Sequence, residues 1–249
     1  MKQQVTLTRQ AVRTPRAAAV AGIIFSVLFT TSMVLIRLAL PEELRGTDIA
    51  DWLQGNTTTI SLALTLVPFA GIAFLWFVGV VRSRLGSMED QFFSTVFFGS
   101  GLLFLAMMFA SAAIAGGILS SYAIEADTLI KSGVVTFGRA IMYTITNVYG
   151  VRMAGVFMIS LATIWMRTRV MPRVFVFLTY ALAFLLLVSS NLTLWLVLVF
   201  PAWVFVISMF ILIISLRGGK DEAEGVVGAQ KTSHMAQGGP KSQLNCIQA

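Results

Sequence analysis

Residues 174–216 carry no charged side chain, and the clearest breaks in this apolar run are Ser189-Ser190-Asn191 and Pro201. A helix rises about 1.5 Å per residue, so the run is roughly twice the ~30 Å apolar thickness of a bilayer and must cross, turn and cross back. The same alternation of long apolar and short polar stretches predicts spans at 17–40, 59–81, 92–120, 139–166, 174–189 and 192–216. The expected fold class is therefore all-α, an integral membrane bundle of six transmembrane helices occupying 17–217. A basic segment, 1–16, precedes it. The stretch 218–249 turns to Gly, Gln, Ser and Lys and is expected to be a disordered tail, with too little apolar surface to offset the entropy of ordering.

Composition agrees with that pattern. Apolar residues make up 57% of the 249 and charged residues 12%, with mean hydropathy +0.85, whereas a soluble domain carries roughly 25% charged residues. A net charge of +7 raises the question of nucleic acid, but the basic residues flank the spans, where they set orientation and meet anionic lipid. With the N-terminus in the cytoplasm, 13 of the 18 basic residues fall on one side: Lys2, Arg9, Arg13 and Arg16; Arg82 and Arg84; Arg167, Arg169 and Arg173; Arg217, Lys220, Lys231 and Lys241. Both termini are expected to be cytoplasmic and the chain to sit in the cell membrane, the inner one in a bacterium. Residues 17–36 are too long for a signal-peptide core, so the first span is read as uncleaved.

The connecting segments carry local signals. Residues 41–58 hold Glu42, Glu43, Asp48 and Asp51 against Arg45 alone. Thr47 is suited to cap, and Gly55 to end, a short helix whose Ile49, Trp52 and Leu53 would anchor it flat at the lipid boundary. Ser87 to Asp90 has the outline of a capping box before span three. Pro15 and Pro172 are placed where helices begin, and Pro68 and Pro201 read as interior kinks. Two Asn-x-Thr triplets, at Asn56 and Asn191, abut expected helix starts and suit capping. Cys246, the only cysteine, excludes an internal disulfide, and Gln248 spoils the prenylation-box outline of the last four residues. Span three is rich in small residues, with Ala106 and Ala110, and Ala112 and Gly116, four apart; it is expected at the bundle centre, or else facing another copy or another membrane protein.

The spans exclude more chemistry than they suggest. His234, the only histidine, lies in the tail, and no Lys, Asp or Glu lies inside a span. Haem ligation, a Ser-His dyad, a retinal Schiff base and a carboxylate dyad or proton relay therefore lack their parts within the bundle. No catalytic residue, metal site or cofactor is expected. The exceptions gather in span four: Arg139, Tyr143, Thr146 and Gly150 share a stripe, Asn147 borders it, and Arg152 points elsewhere. An arginine at the depth of Arg152 either snorkels outward or pairs with an outer carboxylate, or it marks a site. The candidate site is a small wet anion or lipid-headgroup pocket of Arg152, Arg139, Tyr143 and Asn147, open to the outside and wrapping round the helix. Arg37, near the outer end of span one, reads as an interfacial anchor.

The stretch Arg167-Thr168-Arg169-Val170-Met171-Pro172-Arg173, between two apolar spans, resembles a segment of uncharacterised bacterial multi-pass integral membrane proteins. The resemblance covers spans four and five, has Gly where Arg169 stands, and implies six helices without implying an activity. The function expected is non-catalytic: an accessory, scaffolding or ligand-sensing membrane protein in contact with lipid and not with nucleic acid. The alternative is a small secondary transporter or channel using the polar pocket of span four.

Overall fold

Among the described residues, five helices are long and apolar enough to cross a membrane: Arg16–Leu38, Gly55–Ser83, Phe92–Ile124, Val134–Thr168 and Trp195–Leu216; a sixth apolar helix, Arg173–Val188, is shorter. The computed structural model describes residues 2–39, 48–85, 91–169, 171–188 and 194–216, and apart from short turns these residues are helical. In chain order the elements are α1 (Lys2–Ala39), α2 (Asp48–Leu85), α3 (Gln91–Ile124), α4 (Ala126–Lys131) and α5 (Val134–Tyr143). A π-helical segment (Thr144–Gly150) leads straight into α6 (Val151–Thr168), followed by α7 (Arg173–Val188). The last helix, α8 (199–216), is entered through a 3-10 segment at Leu194–Leu198.

Lipid tails are as apolar as leucine, so helices in a membrane cohere through shape, dispersion and a few polar contacts. Here the shape is aromatic. Phe25 and Phe29 of α1, Phe74 of α2, Phe104 of α3, Phe157 of α6 and Phe200 of α8 meet in one cluster, none more than 2% exposed. The Phe74 ring centre lies 4.7 Å from that of Phe25, 5.6 Å from those of Phe104 and Phe157, and 5.8 Å from that of Phe200. These tilted and edge-on spacings are the favourable ones for aromatic pairs. Toward the end where α6 finishes, Trp203 Nε1 donates to Thr179 Oγ1 at 3.0 Å, and the Thr163 and Tyr180 hydroxyls bond at 2.7 Å, tying α6, α7 and α8 together. Arg16 Nη2 donates to the Ser215 carbonyl at 3.2 Å, and Arg82 and Arg167 cover the rings of Phe98 and Phe93.

Small residues set two of the close approaches. A side-chain carbon on Gly22 would overlap Ser208 Oγ, which is buried with no hydrogen-bond partner among the described residues. That hydroxyl rests against the Gly22 backbone instead, in the manner of the weak Cα–H···O contacts of helix–helix interfaces. On Gly155 the same carbon would meet the Ala183 carbonyl oxygen at 3.1 Å.

Several sequence expectations are corrected. The most enclosed span is 134–168, 61% buried over its apolar window, whereas α3 reaches only 28%. Span three is thus not the bundle centre: Ala106, Ala110, Ala113 and Gly117 are exposed, and a side chain on Gly99, Gly116 or Gly117 would meet nothing within 4 Å. Gly55 does not end a separate outer helix, because α2 runs unbroken from Asp48; a glycine costs about 1 kcal/mol against alanine, too little to break a long helix. Asn56 accordingly lies inside α2 and not at its start. Pro15 likewise lies within α1, which begins at Lys2. Pro201 falls in the first turn of α8, where its missing N–H costs little, while Pro68 is interior to α2 as expected. Pro172 does open α7, its carbonyl accepting from Phe175 N at 3.0 Å. Glu42, Glu43, Thr47, the 87–90 capping box, the Asn191 triplet and the tail with His234 and Cys246 lie outside the described residues.

Arg169 closes α6 in the left-handed region, at φ 52° and ψ 27°. A side chain there costs about 1–2 kcal/mol, which glycine avoids. Arg169→Gly is therefore expected to raise the thermal stability of the purified protein slightly or leave it unchanged. A marked drop in melting temperature would show that the guanidinium holds something the backbone strain does not outweigh.

Candidate functional site

The long helical rod formed by α5, the π segment and α6 changes its hydrogen bonding at Thr144–Gly150, where bonds run from residue i to i+5, and the Val151 N–H reaches the Thr146 carbonyl. Such widened turns recur at functional sites. Here the widening is stabilised by side chains. Asn147 Nδ2 donates to the Tyr143 carbonyl at 3.1 Å, and its Oδ1 accepts from Arg37 Nη2 at 3.2 Å. The amide has only one sensible orientation, because flipping it would set NH2 against a guanidinium and oxygen against a carbonyl. Thr146 Oγ1 donates to Ser111 Oγ on α3 at 3.0 Å, so consecutive residues of the π segment bond to two different helices.

These groups line a cavity of about 640 Å³ at the end of the bundle where α1 and α3 finish and α2 and α5 begin. One wall, from α5 and the π segment, is polar: Thr136, Arg139, Tyr143, Thr146 and Asn147. Arg37 faces them from α1. The remaining walls are largely aliphatic, from Met33 and Ile36 of α1, Leu64 and Val67 of α2, and Met108 of α3. At the rim Tyr143 is 40% and Trp195 51% exposed, while Thr146 and Asn147 are buried, so the cavity deepens toward the π segment. Beneath it the aromatic cluster begins: Phe29 and Phe104 lie one turn deeper than Met33 and Met108 on the same helices.

Three of the four residues singled out from sequence, Arg139, Tyr143 and Asn147, line this one cavity; Arg152 does not. Its guanidinium turns back along its own helix, Nη1 donating to the Val148 carbonyl at 3.4 Å, as the lean of helical side chains toward their N-terminus dictates. A pocket wrapping round span four to include Arg152 is thereby corrected. Arg37 takes its place, as a cavity residue and not a plain interfacial anchor. Its depth was readable from its distance to the end of span one, but its direction round the helix was not. Ser111 and Thr146 were also missed as site residues. The cluster Thr144-Ile145-Thr146-Asn147 in an otherwise apolar span was a signal available for Thr146, whereas Ser111 stands among the small residues of span three with nothing in the sequence to set it apart.

The arrangement holds hydrogen-bond donors and fixed positive charge, and no carboxylate, histidine, lysine or thiol lines it among the described residues. It can bind and orient an acceptor-rich or anionic group. No family model, curated protein or solved structure matches the chain.

Proposed function

We propose that this protein is a non-catalytic, ligand-holding membrane protein, an accessory or sensing subunit of the cell membrane, with six crossings and both termini in the cytoplasm. The observation that carries the reading is the cavity with polar donors at its wall and, beneath it among the described residues, the aromatic cluster that includes Phe29 and Phe104. A transporter requires a continuous polar route, at least in alternation, whereas a sensor requires only a site coupled to packing. The sixth crossing is α7, whose 16 residues span about 24 Å at 1.5 Å per residue, close to the ~30 Å apolar core. An even number of crossings places both chain ends on the side carrying the 13 basic residues, and the cavity on the other.

The alternative is a small secondary transporter, for which the interior Pro68 and the π segment would supply the moving parts. Reconstitution into liposomes separates the two. The sensing reading expects a ligand that raises thermal stability in detergent and shows no protein-dependent flux across the vesicle. Flux of that same ligand, above empty vesicles and lost on Arg37→Gln, would replace sensing by transport.

A further inference from the structure

The two faces of the cavity differ in chemistry, and that difference specifies a ligand more narrowly than charge alone. A bare inorganic anion needs a small, fully polar cage. The cavity of about 640 Å³ falls instead in the ~300–1,000 Å³ range of sites for drug-sized molecules. Its donors gather mainly on one wall, where Arg139 stands two turns above Asn147, and Arg37 joins them by reaching Asn147 from across. Apart from Arg37 and Ser111, the side chains that α1, α2 and α3 turn to the cavity are aliphatic or thioether, chiefly Met33, Ile36, Leu64, Val67 and Met108. Guanidinium groups match phosphate and carboxylate oxygens with paired N–H donors, and methionine adapts its shape to irregular apolar bodies.

From this juxtaposition we infer that the site takes an amphiphilic oxyanion: a phosphate or carboxylate head held by Arg37 and Arg139, joined to an apolar body lying along α1, α2 and α3. The inference rests on the ligand-holding function proposed above and names the ligand class of that site. The two arginines select the head, and the Tyr143 hydroxyl supplies a further donor to its oxygens. Because Arg37 is bonded to Asn147, a head drawn to Arg37 also bears on the π segment, which connects the site to the most enclosed span. The ligand's source is either the bilayer, as an anionic lipid, or the aqueous phase, as an organic phosphate or carboxylate. Both present the same chemistry to the same wall.

Trp195 at the rim provides the readout. The full-length protein in a neutral maltoside detergent is titrated with dodecyl phosphate, inorganic phosphate and the uncharged dodecanol, following melting temperature and the fluorescence lost in Trp195→Phe. Dodecyl phosphate is expected to bind saturably, and the other two to bind at least tenfold more weakly. Arg37→Gln and Arg139→Gln are each expected to weaken dodecyl phosphate by about ten- to a hundredfold, the loss of one charge-assisted hydrogen-bond pair. Should either variant fold poorly, Ala112→Phe, on the α3 side of the cavity lining, fills the apolar side and leaves both arginines in place; it is expected to abolish dodecyl phosphate binding in a protein of normal unliganded melting temperature. Two further arms identify the source: phosphatidylglycerol supplied in a nanodisc bilayer, and phenyl phosphate supplied from water. Competition with dodecyl phosphate by either supports the inference and names the source. Inorganic phosphate or dodecanol binding as tightly as dodecyl phosphate would overturn the amphiphile while leaving a ligand-holding function intact. No saturable binding by any probe would overturn both.

Discussion

Phe74→Ala is expected to destabilise the folded bundle by about 3 kcal/mol or more, the low end of the range for emptying a phenylalanine site in a protein core. Phe74 is fully buried, and its ring is packed against those of Phe25, Phe77, Phe104, Phe157 and Phe200. In a soluble protein part of that cost is the transfer of the ring to water. Here the unfolded helices remain in lipid, so transfer contributes little, and the void with its lost dispersion contacts carries the cost. The low end of the range is chosen for that reason. Phe69 on the same helix is 58% exposed and supplies the control, with Phe69→Ala expected to cost under about 1 kcal/mol. Reversible unfolding in mixed micelles measures both. Equal effects at the two sites would mean that the aromatic cluster is not the packing centre.

Gly155→Leu is expected to displace α7 from α6 and to reduce the yield of monodisperse protein severely. A first side-chain carbon at Gly155 would meet Leu187 at 3.0 Å and the Ala183 carbonyl oxygen at 3.1 Å, and a backbone oxygen cannot rotate away as a side chain does. Overpacking of this kind costs about 1–3 kcal/mol for small additions, and leucine adds three carbons beyond alanine. Gly155→Ala should be milder and still measurable. Gly117→Leu, at a position where an added carbon meets nothing within 4 Å, should be tolerated. Harmless Gly155→Leu would show that α7 is not held by close approach to α6, and would weaken the case for α7 as a crossing helix.

What the sequence made legible was length, and what it left open was direction. Apolar runs identify the helices because a bilayer admits few other structures, so the long spans were readable without any knowledge of neighbours. The rotational setting of each helix was not readable. In a soluble protein the polar side of a helix points to water; in lipid both sides are apolar, and small residues mark a close contact only if a neighbour happens to be there. Hence the glycines and alanines of α3 suggested the centre, whereas many of them face outward and the rod from Val134 to Thr168 is the enclosed element. Helix breakers are equally ambiguous without neighbours: Gly55 and Pro15 lie within continuous helices. Of the site, Arg139, Tyr143 and Asn147 were legible as polar intrusions at turn spacing. Arg37 was legible in depth alone, and the exclusion of Arg152 required its helical phase and the fold-back onto Val148.

The central claim is a cavity that opens away from the start of α1 and the end of α8 and lies above an aromatic layer. Cys246 is the only native cysteine, so Cys246→Ser provides a background for single-cysteine accessibility in intact cells. Three positions report on it: Ala112→Cys in the cavity wall, Ser100→Cys beneath the aromatic layer, and Ser83→Cys at the exposed far end of α2. A membrane-impermeant thiol reagent is predicted to label Ala112→Cys from the outside, Ser83→Cys only once the cytoplasmic face is opened, and Ser100→Cys from neither. Labelling of Ala112→Cys from the cytoplasm alone, or of Ser100→Cys from either face, would contradict the account.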